Sequence, residues 1–113
     1  MIKRFESILL EEAFDFVQKQ QMKVRAKILQ NIRRSEMLTD PKLFKKLDGE
    51  IWEFRTKYTG NEYRLFAFWD KDDKEETLVL ASHGRIKKTN KVDKSDIEKA
   101  ERIRQVYFKN KTK

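Results

Sequence analysis

The pattern of residues 51–82 constrains the fold more than any other feature of the sequence. In residues 51–58 the aromatic side chains alternate with charged ones, a period of two that is typical of a half-buried strand. Residues 63–69 are apolar apart from Arg64, and residues 77–82 form a third such run. Turn-forming residues 59–61 and a polar segment at 70–76 separate the runs. We therefore predict a three-stranded antiparallel meander.

Apolar residues before this meander recur at helical spacing. They predict one helix over residues 8–20, starting after Ser7, and a second over 21–37, so that the two form a helical hairpin. Residues 1–6 are expected to form a short edge strand. Pro41 disfavours helix before it, so residues 42–49 are predicted to be a loop.

The C-terminal quarter combines a basic segment and a final helix. Residues 83–92 are expected to be a basic loop. Ser95 and Glu98 have capping-box spacing, which predicts a helix from Ser95, with residues 109–113 fraying. Its predicted apolar stripe consists of Ile97, Ala100, Ile103, Val106 and Tyr107. The predicted fold is α+β, with order (β)ααβββα: a helical hairpin and a C-terminal helix packed on a small antiparallel sheet.

Length and composition exclude several classes of protein. The 113 residues are enough for a single domain, which we assign to residues 1–113. The chain has no cysteine, which excludes disulfides, thiolate nucleophiles and zinc–thiolate sites. Its apolar runs are too short to span a bilayer, and its first residues do not resemble a signal peptide. The expected location is the cytoplasm, without membrane contact.

The net charge of +8 is concentrated near the C-terminus. Residues 85–113 carry 11 basic and 4 acidic side chains, a net charge of +7. Such asymmetry suggests a polyanionic partner or an acidic protein surface, and RNA is the partner we favour. The alternative is a tail that only promotes solubility.

Arg64 is the charged residue that the strand pattern does not explain. A guanidinium in an apolar strand is unfavourable unless it is paired or used. Arg55 lies on the neighbouring strand, and two converging guanidinium groups suit phosphate oxygens. The alternative is an ion pair of Arg64 with Glu53 or Glu62. Both interpretations are open at this point.

Further candidates for chemistry lie between His83 and Lys91. Histidine can transfer a proton near neutral pH, and lysines can stabilise charge on a phosphate. The alternative is a solvated basic loop. Several aromatic residues have faces suited to stacking on bases, although most must belong to the core; because Tyr107 and Phe108 are adjacent, only one is expected to face inward.

A metal site is not expected. Asp70, Asp72 and Asp73 lack the glycine and the closing glutamate of a calcium-binding loop, so they are interpreted as a hairpin turn. No Gly-rich phosphate loop is present, and no cofactor is expected.

Several segments, taken in order, resemble the RelE/ParE superfamily of toxins from bacterial toxin–antitoxin modules, and the HigB-like, phage-derived branch in particular. The resemblance covers roughly residues 40–105. The segments that carry it are Lys46-Leu-Asp-Gly-Glu-Ile-Trp-Glu-Phe-Arg55, Tyr63-Arg-Leu-Phe66, His83-Gly84, Lys87-Lys-Thr89 and Asp96-Ile-Glu98.

The resemblance implies an endoribonuclease that cuts mRNA in the ribosomal A site without a metal and so inhibits translation. It implies that Arg64 holds the scissile phosphate and that Lys87 and Lys88 lie near the leaving group. His83 and Tyr107 are the implied candidates for proton transfer. The expected RNA contacts are Arg55, Lys57, Arg85 and Lys91. The implied partner is an antitoxin, expected to be a helix-turn-helix protein.

Two alternatives come from other functional classes. ParE-like relatives share the fold and inhibit DNA gyrase by binding it, without catalysis. The chain is otherwise a plain nucleic-acid-binding module or an inactive toxin homologue. A cluster of Arg64, Arg55, His83 and Lys87 on the sheet favours the nuclease over the gyrase inhibitor, because ParE-like proteins usually lack such a cluster.

Overall fold

The computed structural model describes residues 2–72, 77–89 and 91–111, and it confirms the α+β class. In chain order the elements are β1 (Glu6–Leu9), α1 (Glu11–Gln18), α2 (Met22–Met37), β2 (Phe44–Asp48), β3 (Ile51–Tyr58), β4 (Asn61–Asp70), β5 (Leu78–Lys87) and α3 (Lys94–Lys111). No helix among the described residues is both long enough and apolar enough to cross a membrane.

Five strands form one mixed sheet in the order β1-β5-β4-β3-β2. The predicted meander is confirmed, because β3, β4 and β5 pair antiparallel in sequence. Two expectations about the edges were wrong. The N-terminal strand lies at Glu6–Leu9 rather than at residues 1–6, and it pairs parallel to β5. The predicted loop at 42–49 contains β2, which pairs with β3.

The turn between β3 and β4 sets the register of the central hairpin. Thr59 and Gly60 both have positive φ, at 45° and 83°. This is the backbone of a two-residue turn whose twist matches that of the flanking strands. It places Arg55 directly opposite Arg64.

Strand β5 is longer than the sequence predicts. It continues to Lys87 because the ten-residue β4 offers pairing partners over that length, ending with Glu62 opposite Lys87. The pairing of β4 with β5 is irregular between Phe66 and Ala67, where the register shifts. The first half of the predicted basic loop 83–92 is therefore strand, whereas Asn90 lies outside the described residues.

Helices cover both faces of the sheet and create two apolar cores. On one face α1 and α2 pack over a cluster that includes Val17, Ile28, Phe54 and Leu65. On the other face α3 packs over Ile51, Phe66, Phe68, Leu80 and Ala100. Tyr107 and Phe108 both pack against this second core, so the expectation that only one faces inward was wrong.

The helix boundaries agree with the prediction for α2 and differ for the other two. Helix α1 begins at Glu11, because residues 6–9 are used by β1. Helix α3 begins at Lys94, one residue before the predicted cap at Ser95, and continues to Lys111, so fraying from residue 109 is not seen. Val106 was placed in the apolar stripe but is exposed. Residues 112–113 and most of the predicted hairpin loop, 73–76, lie outside the described residues.

Candidate nucleic-acid interface

Charged side chains line one end of the central three strands on the face that α3 covers only in part. Residues directly opposite each other in a sheet project to the same face. Arg55, Arg64 and Arg85 lie opposite one another across β3, β4 and β5, and Lys57, Glu62 and Lys87 form the next row. We call these two rows, with His83, Lys88 and Lys91, the basic cluster.

Arg64 is at the centre of the basic cluster and is completely buried. Its guanidinium donates hydrogen bonds to the backbone oxygens of Thr89 (2.7 Å) and Lys91 (3.2 Å). It also lies 3.7 Å from a carboxylate oxygen of Glu53 and 3.4 Å from one of Glu62. The ion-pair alternative is therefore the arrangement seen, and it involves both glutamates. Arg64 holds the segment after β5 against the sheet.

Arg55 shares both carboxylates with Arg64. Its Nε lies 3.3 Å from Glu53, and its Nη2 donates a 2.9 Å hydrogen bond to Glu62. Burial alone raises the pKa of Glu62, but the Arg55 hydrogen bond and the guanidinium charges lower it overall. Burial raises the pKa of Glu53 despite the two arginines, because its side chain has no exposed surface. The expected convergence of Arg55 and Arg64 is confirmed, but Glu53 and Glu62 already pair with both guanidinium groups.

Arg85 differs from the other two arginines because it is both fixed and accessible. Its Nε and Nη2 bind the carboxylate of Asp96 side-on at 2.8–3.1 Å, while 47% of its side chain remains exposed. Asp96 lies in the first turn of α3 and is 1% exposed. The hydrogen bond to Asp96 raises the pKa of Arg85. A guanidinium held in this way presents its outer edge to solvent as a preorganised anion-binding group.

His83 lies beneath this pair and is buried. Its Nδ1 is 3.0 Å from the hydroxyl of Ser82, its Nε2 is 3.2 Å from Asp96, and its ring stacks on Phe66 with centroids 4.9 Å apart. Burial lowers the pKa of His83, and the hydrogen bond with Asp96 opposes that effect only in part. The imidazole is therefore neutral near pH 7, and it supports Asp96 from below.

The lysines of the basic cluster form its outer rim. Lys87 is paired with Asp93, which follows β5 closely in sequence. Lys57 and Lys88 are exposed and both line a shallow pocket of about 310 Å³ beside Glu62 and the β3–β4 turn. Lys91 is also exposed, while its backbone oxygen is bound by Arg64. The rim thus offers accessible ammonium groups around an interior of buried ion pairs.

Tyr107 is the one predicted site residue that the structure does not bring to the basic cluster. Its hydroxyl donates a 2.7 Å hydrogen bond to Asp70 at the far end of β4, six residues from Arg64, or roughly 20 Å along the strand. Burial and Asp70 raise the pKa of Tyr107 to about 12. Lys111 binds the same carboxylate. Asp70 therefore ties α3 to the sheet; of its predicted turn partners, Asp73 lies outside the described residues.

Asp96 is the residue that the sequence argument missed. It was seen only as part of the motif that begins the last helix, yet it binds both His83 and Arg85. A signal for it was present, since Asp96 precedes the buried Ala100 by four residues and so lies on the helix face that packs on the sheet. The acidic Asp96 therefore holds two of the predicted site residues in fixed positions.

Comparison with known proteins places the chain in a family. The family model described as phage derived protein Gp49-like (DUF891) matches residues 15–105, which include α2, strands β2 to β5 and the first two thirds of α3. No curated protein sequence matches the chain. Because the matched region covers most of the 113 residues, the chain belongs to the phage derived protein Gp49-like family.

Proposed function

We propose that this protein is a toxin of a toxin–antitoxin module that cleaves mRNA on the ribosome and thereby inhibits translation. Membership of the Gp49-like family is consistent with a toxin in general. The resemblance to the HigB-like branch supports the finer assignment. The observation that carries it is the preorganised and accessible Arg85, at the same end of the sheet as the exposed Lys57 and Lys88.

The proposed reaction is transesterification within the RNA strand. The ribose 2′-oxygen forms a bond to phosphorus as the bond from phosphorus to the 5′-oxygen breaks, giving a cyclic phosphate and a 5′-hydroxyl. The 2′-hydroxyl loses its proton and the leaving oxygen gains one. Cations held in place before the reaction stabilise the charge that develops on the phosphate, and removal of one such group costs roughly a factor of 100 to 1000 in rate.

The burial of Arg64 changes the residue roles that the resemblance implies. Glu53, Glu62 and two backbone oxygens already occupy its guanidinium. We therefore assign the direct phosphate contact to Arg85 and Lys88 and a position near the leaving oxygen to Lys87. Arg64 positions the segment that carries Lys88 and Lys91. Tyr107 has no part in the proposed reaction, because it lies at the opposite end of β4.

A second candidate function is a nucleic-acid-binding module without catalysis. A gyrase inhibitor, which binds a protein, is the other alternative without catalysis. The observation that favours the binding module is that His83, the one histidine, is buried and neutral between Ser82 and Asp96. A group in that position lacks access to a substrate hydroxyl. This alternative predicts binding of RNA without cleavage.

Growth arrest on induced expression, with transcripts mapped by primer extension, separates these functions. We expect arrest with cuts in translated messages, and loss of both in Arg85→Ala and in Lys88→Ala. Lys23→Ala, on the exposed face of α2, is the matched control and should arrest growth normally. Arrest without cuts would point to another target, and full activity of Arg85→Ala would refute the assigned role.

The proposed partners are mRNA on the ribosome and an antitoxin. An antitoxin that neutralises the toxin is expected to cover Arg85 and the lysine rim. Protection of these side chains from hydrogen exchange or chemical modification in a purified complex would support this, whereas a complex that leaves them open would contradict it.

A further inference from the structure

A second concave surface lies at the other end of the same sheet, where β3 begins and β4 ends. It encloses about 700 Å³ and lies among two tryptophans, a phenylalanine and several cations. We call it the tryptophan groove and define it by Trp52, Trp69, Phe108, Lys46, Lys71 and Arg104. Trp69 is five residues from Arg64, roughly 17 Å along β4, and this odd separation places the two side chains on opposite faces of the sheet.

The groove has an excess of positive charge. Lys46 and Lys71 are exposed, and neither ammonium group forms an ion pair with any residue in the described ranges. Arg104 binds Glu101 and lies over the ring of Phe108. Glu50 and Asp72 are the acidic residues of the lining, and Asp72 lies 3.6 Å from Lys111. Two unpaired ammonium groups therefore remain available for an anionic ligand.

The aromatic side chains of the groove are only half buried. Trp52 and Trp69 meet edge to face with centroids 5.5 Å apart, and their inner sides pack against the core beneath α1 and α2. The ammonium of Lys71 lies 4.9 Å from the Trp69 ring centroid. Aromatic surface interleaved with cations is the combination by which proteins hold single-stranded nucleic acid, because bases stack on the rings while cations pair with phosphates.

We propose that the tryptophan groove binds a segment of single-stranded RNA, with bases against Trp52, Trp69 and Phe108 and phosphates paired with Lys46 and Lys71. This deepens the proposed function, on which the choice of RNA rests. The groove holds the strand at a distance from the basic cluster, so that one RNA molecule contacts both ends of the sheet.

The chain itself provides a specific probe of this groove. Its two tryptophans both line the groove, and the basic cluster contains none. Intrinsic tryptophan fluorescence during titration with an oligouridylate of about ten nucleotides therefore reports on this site alone. We expect saturable quenching in the wild type and in Arg85→Ala.

Charge reversals at the rim test whether the quenching depends on the groove. Lys46→Glu and Lys71→Glu, both at exposed positions, should raise the apparent Kd by about tenfold or more at low salt. Lys23→Glu makes the same change of charge on α2 and should have a much smaller effect. An equal loss in all three variants would mean nonspecific attraction and would overturn the proposal, as would the absence of quenching.

The competing occupant is an acidic protein segment. If oligoglutamate quenches the fluorescence, displaces the RNA and binds with a lower Kd than the oligouridylate, the proposal is overturned in favour of a protein partner. Because the titration requires neither ribosomes nor cleavage, its failure is distinguishable from failure of the proposed function. Quenching without transcript cleavage would support RNA binding by the groove and refute the proposed nuclease activity. Cleavage without quenching would support the nuclease activity and refute RNA binding by the groove.

Discussion

At the scale of single residues, the central observation is that the fully buried Arg64 is paired through both of its Nη atoms. Two carboxylates and two backbone oxygens lie against these atoms and offset much of the cost of desolvation, whereas the Nε has no hydrogen-bond partner among the described residues. The arrangement makes Arg64 a structural residue first. Loss of activity in an Arg64 variant is therefore informative only when folding is measured as well.

Arg64→Ala is expected to destabilise the fold by about 3–5 kcal/mol, because it leaves Glu53 buried without its central partner. Urea unfolding followed by circular dichroism measures this free energy. Lys57→Ala, on the same face but exposed, should change it by less than about 0.5 kcal/mol. Equal stability of the two variants would show that Arg64 is not held as described.

Thr59 is a β-branched residue with a positive φ of 45°. Asparagine tolerates that conformation better, so Thr59→Asn should raise the free energy of unfolding by about 1 kcal/mol. Gly60→Ala is the matched opposite: nothing lies within 4 Å of the added carbon, yet φ is +83°, so the variant should be destabilised by backbone strain alone. Thermal unfolding of both variants tests the pair, and a lower melting temperature for Thr59→Asn would contradict the turn geometry.

Burial lowers the folded-state pKa of His83 below its usual value of 6.5. The unfolded chain therefore binds more protons than the folded chain as pH falls below 6.5, and stability should fall with it. Glu53, whose pKa is raised above 4.5, acts in the opposite sense above that value. Melting temperatures measured between pH 7.5 and 5 should decline in the wild type more than in His83→Gln, which isolates the histidine; parallel curves would argue against a neutral, buried imidazole.

At the scale of elements, the packing of α1 on β5 depends on a glycine. A carbon added at Gly84 would lie 2.3–2.7 Å from three ring atoms of Phe16, closer than packing allows. The His83-Gly84 segment therefore serves the docking of a helix as well as the position of His83. This explains why the strand can pass so close beneath α1.

Gly84→Ala is expected to cost roughly 1–3 kcal/mol of stability through overpacking. Replacement of Phe16 by leucine should remove part of the clash, so the double variant Phe16→Leu/Gly84→Ala should lose less than the sum of the single losses. Denaturant unfolding of all four proteins provides the cycle. Additive losses would show that the two residues do not meet.

At the scale of the whole molecule, acidic side chains decide where the positive charge can act. Glu53, Glu62 and Asp93 neutralise cations inside the basic cluster, whereas Lys57 and Lys88 keep accessible charge at its rim. Arg85 is bound by Asp96 along one edge but remains accessible along the other. A net charge of +8 attracts polyanions at long range, and few cations would then define where the proposed RNA is held.

RNA affinity should fall steeply with salt, because bound phosphates release counterions. For a single strand each phosphate contact contributes a slope of about 0.7 in log K against log salt. Arg85→Ala and Lys88→Ala should each reduce the slope by about that amount, and Lys23→Ala should leave it unchanged. Fluorescence anisotropy of a labelled oligonucleotide gives the slopes. An unaltered slope for Arg85→Ala would show that Arg85 does not contact an RNA phosphate.

The amino-acid pattern was enough to predict those elements whose stabilising contacts are local. The alternation in β3, the apolar run of β4 and the spacing in α2 each follow from contacts that an element makes along its own length, so strand, turn and helix were predictable there. It also indicated that Arg55 and Arg64 could converge, and it left open whether Arg64 binds phosphate or pairs with Glu53 or Glu62. The position of β1 was not predictable in this way, because it forms only when β5 offers a partner distant in sequence. Strand β2 pairs with its sequence neighbour β3 across Gly49 and Glu50, and the prediction of a loop after Pro41 missed this hairpin.

The accessibility of each cation depends on the folded arrangement and was not predictable from the sequence. Arg55, Arg64 and Arg85 are alike in sequence, but one is enclosed, one is shared between glutamates and one is held at the surface by Asp96. That difference arises from carboxylates on other elements and from the helix that covers the sheet, since burial and pairing are properties of the assembled fold. The position of Tyr107 beside Asp70 likewise depends on the folded arrangement. The residues of the tryptophan groove come from β2, β3, α3, β4 and the residue after β4, and they meet only after the sheet and its covering helix have formed.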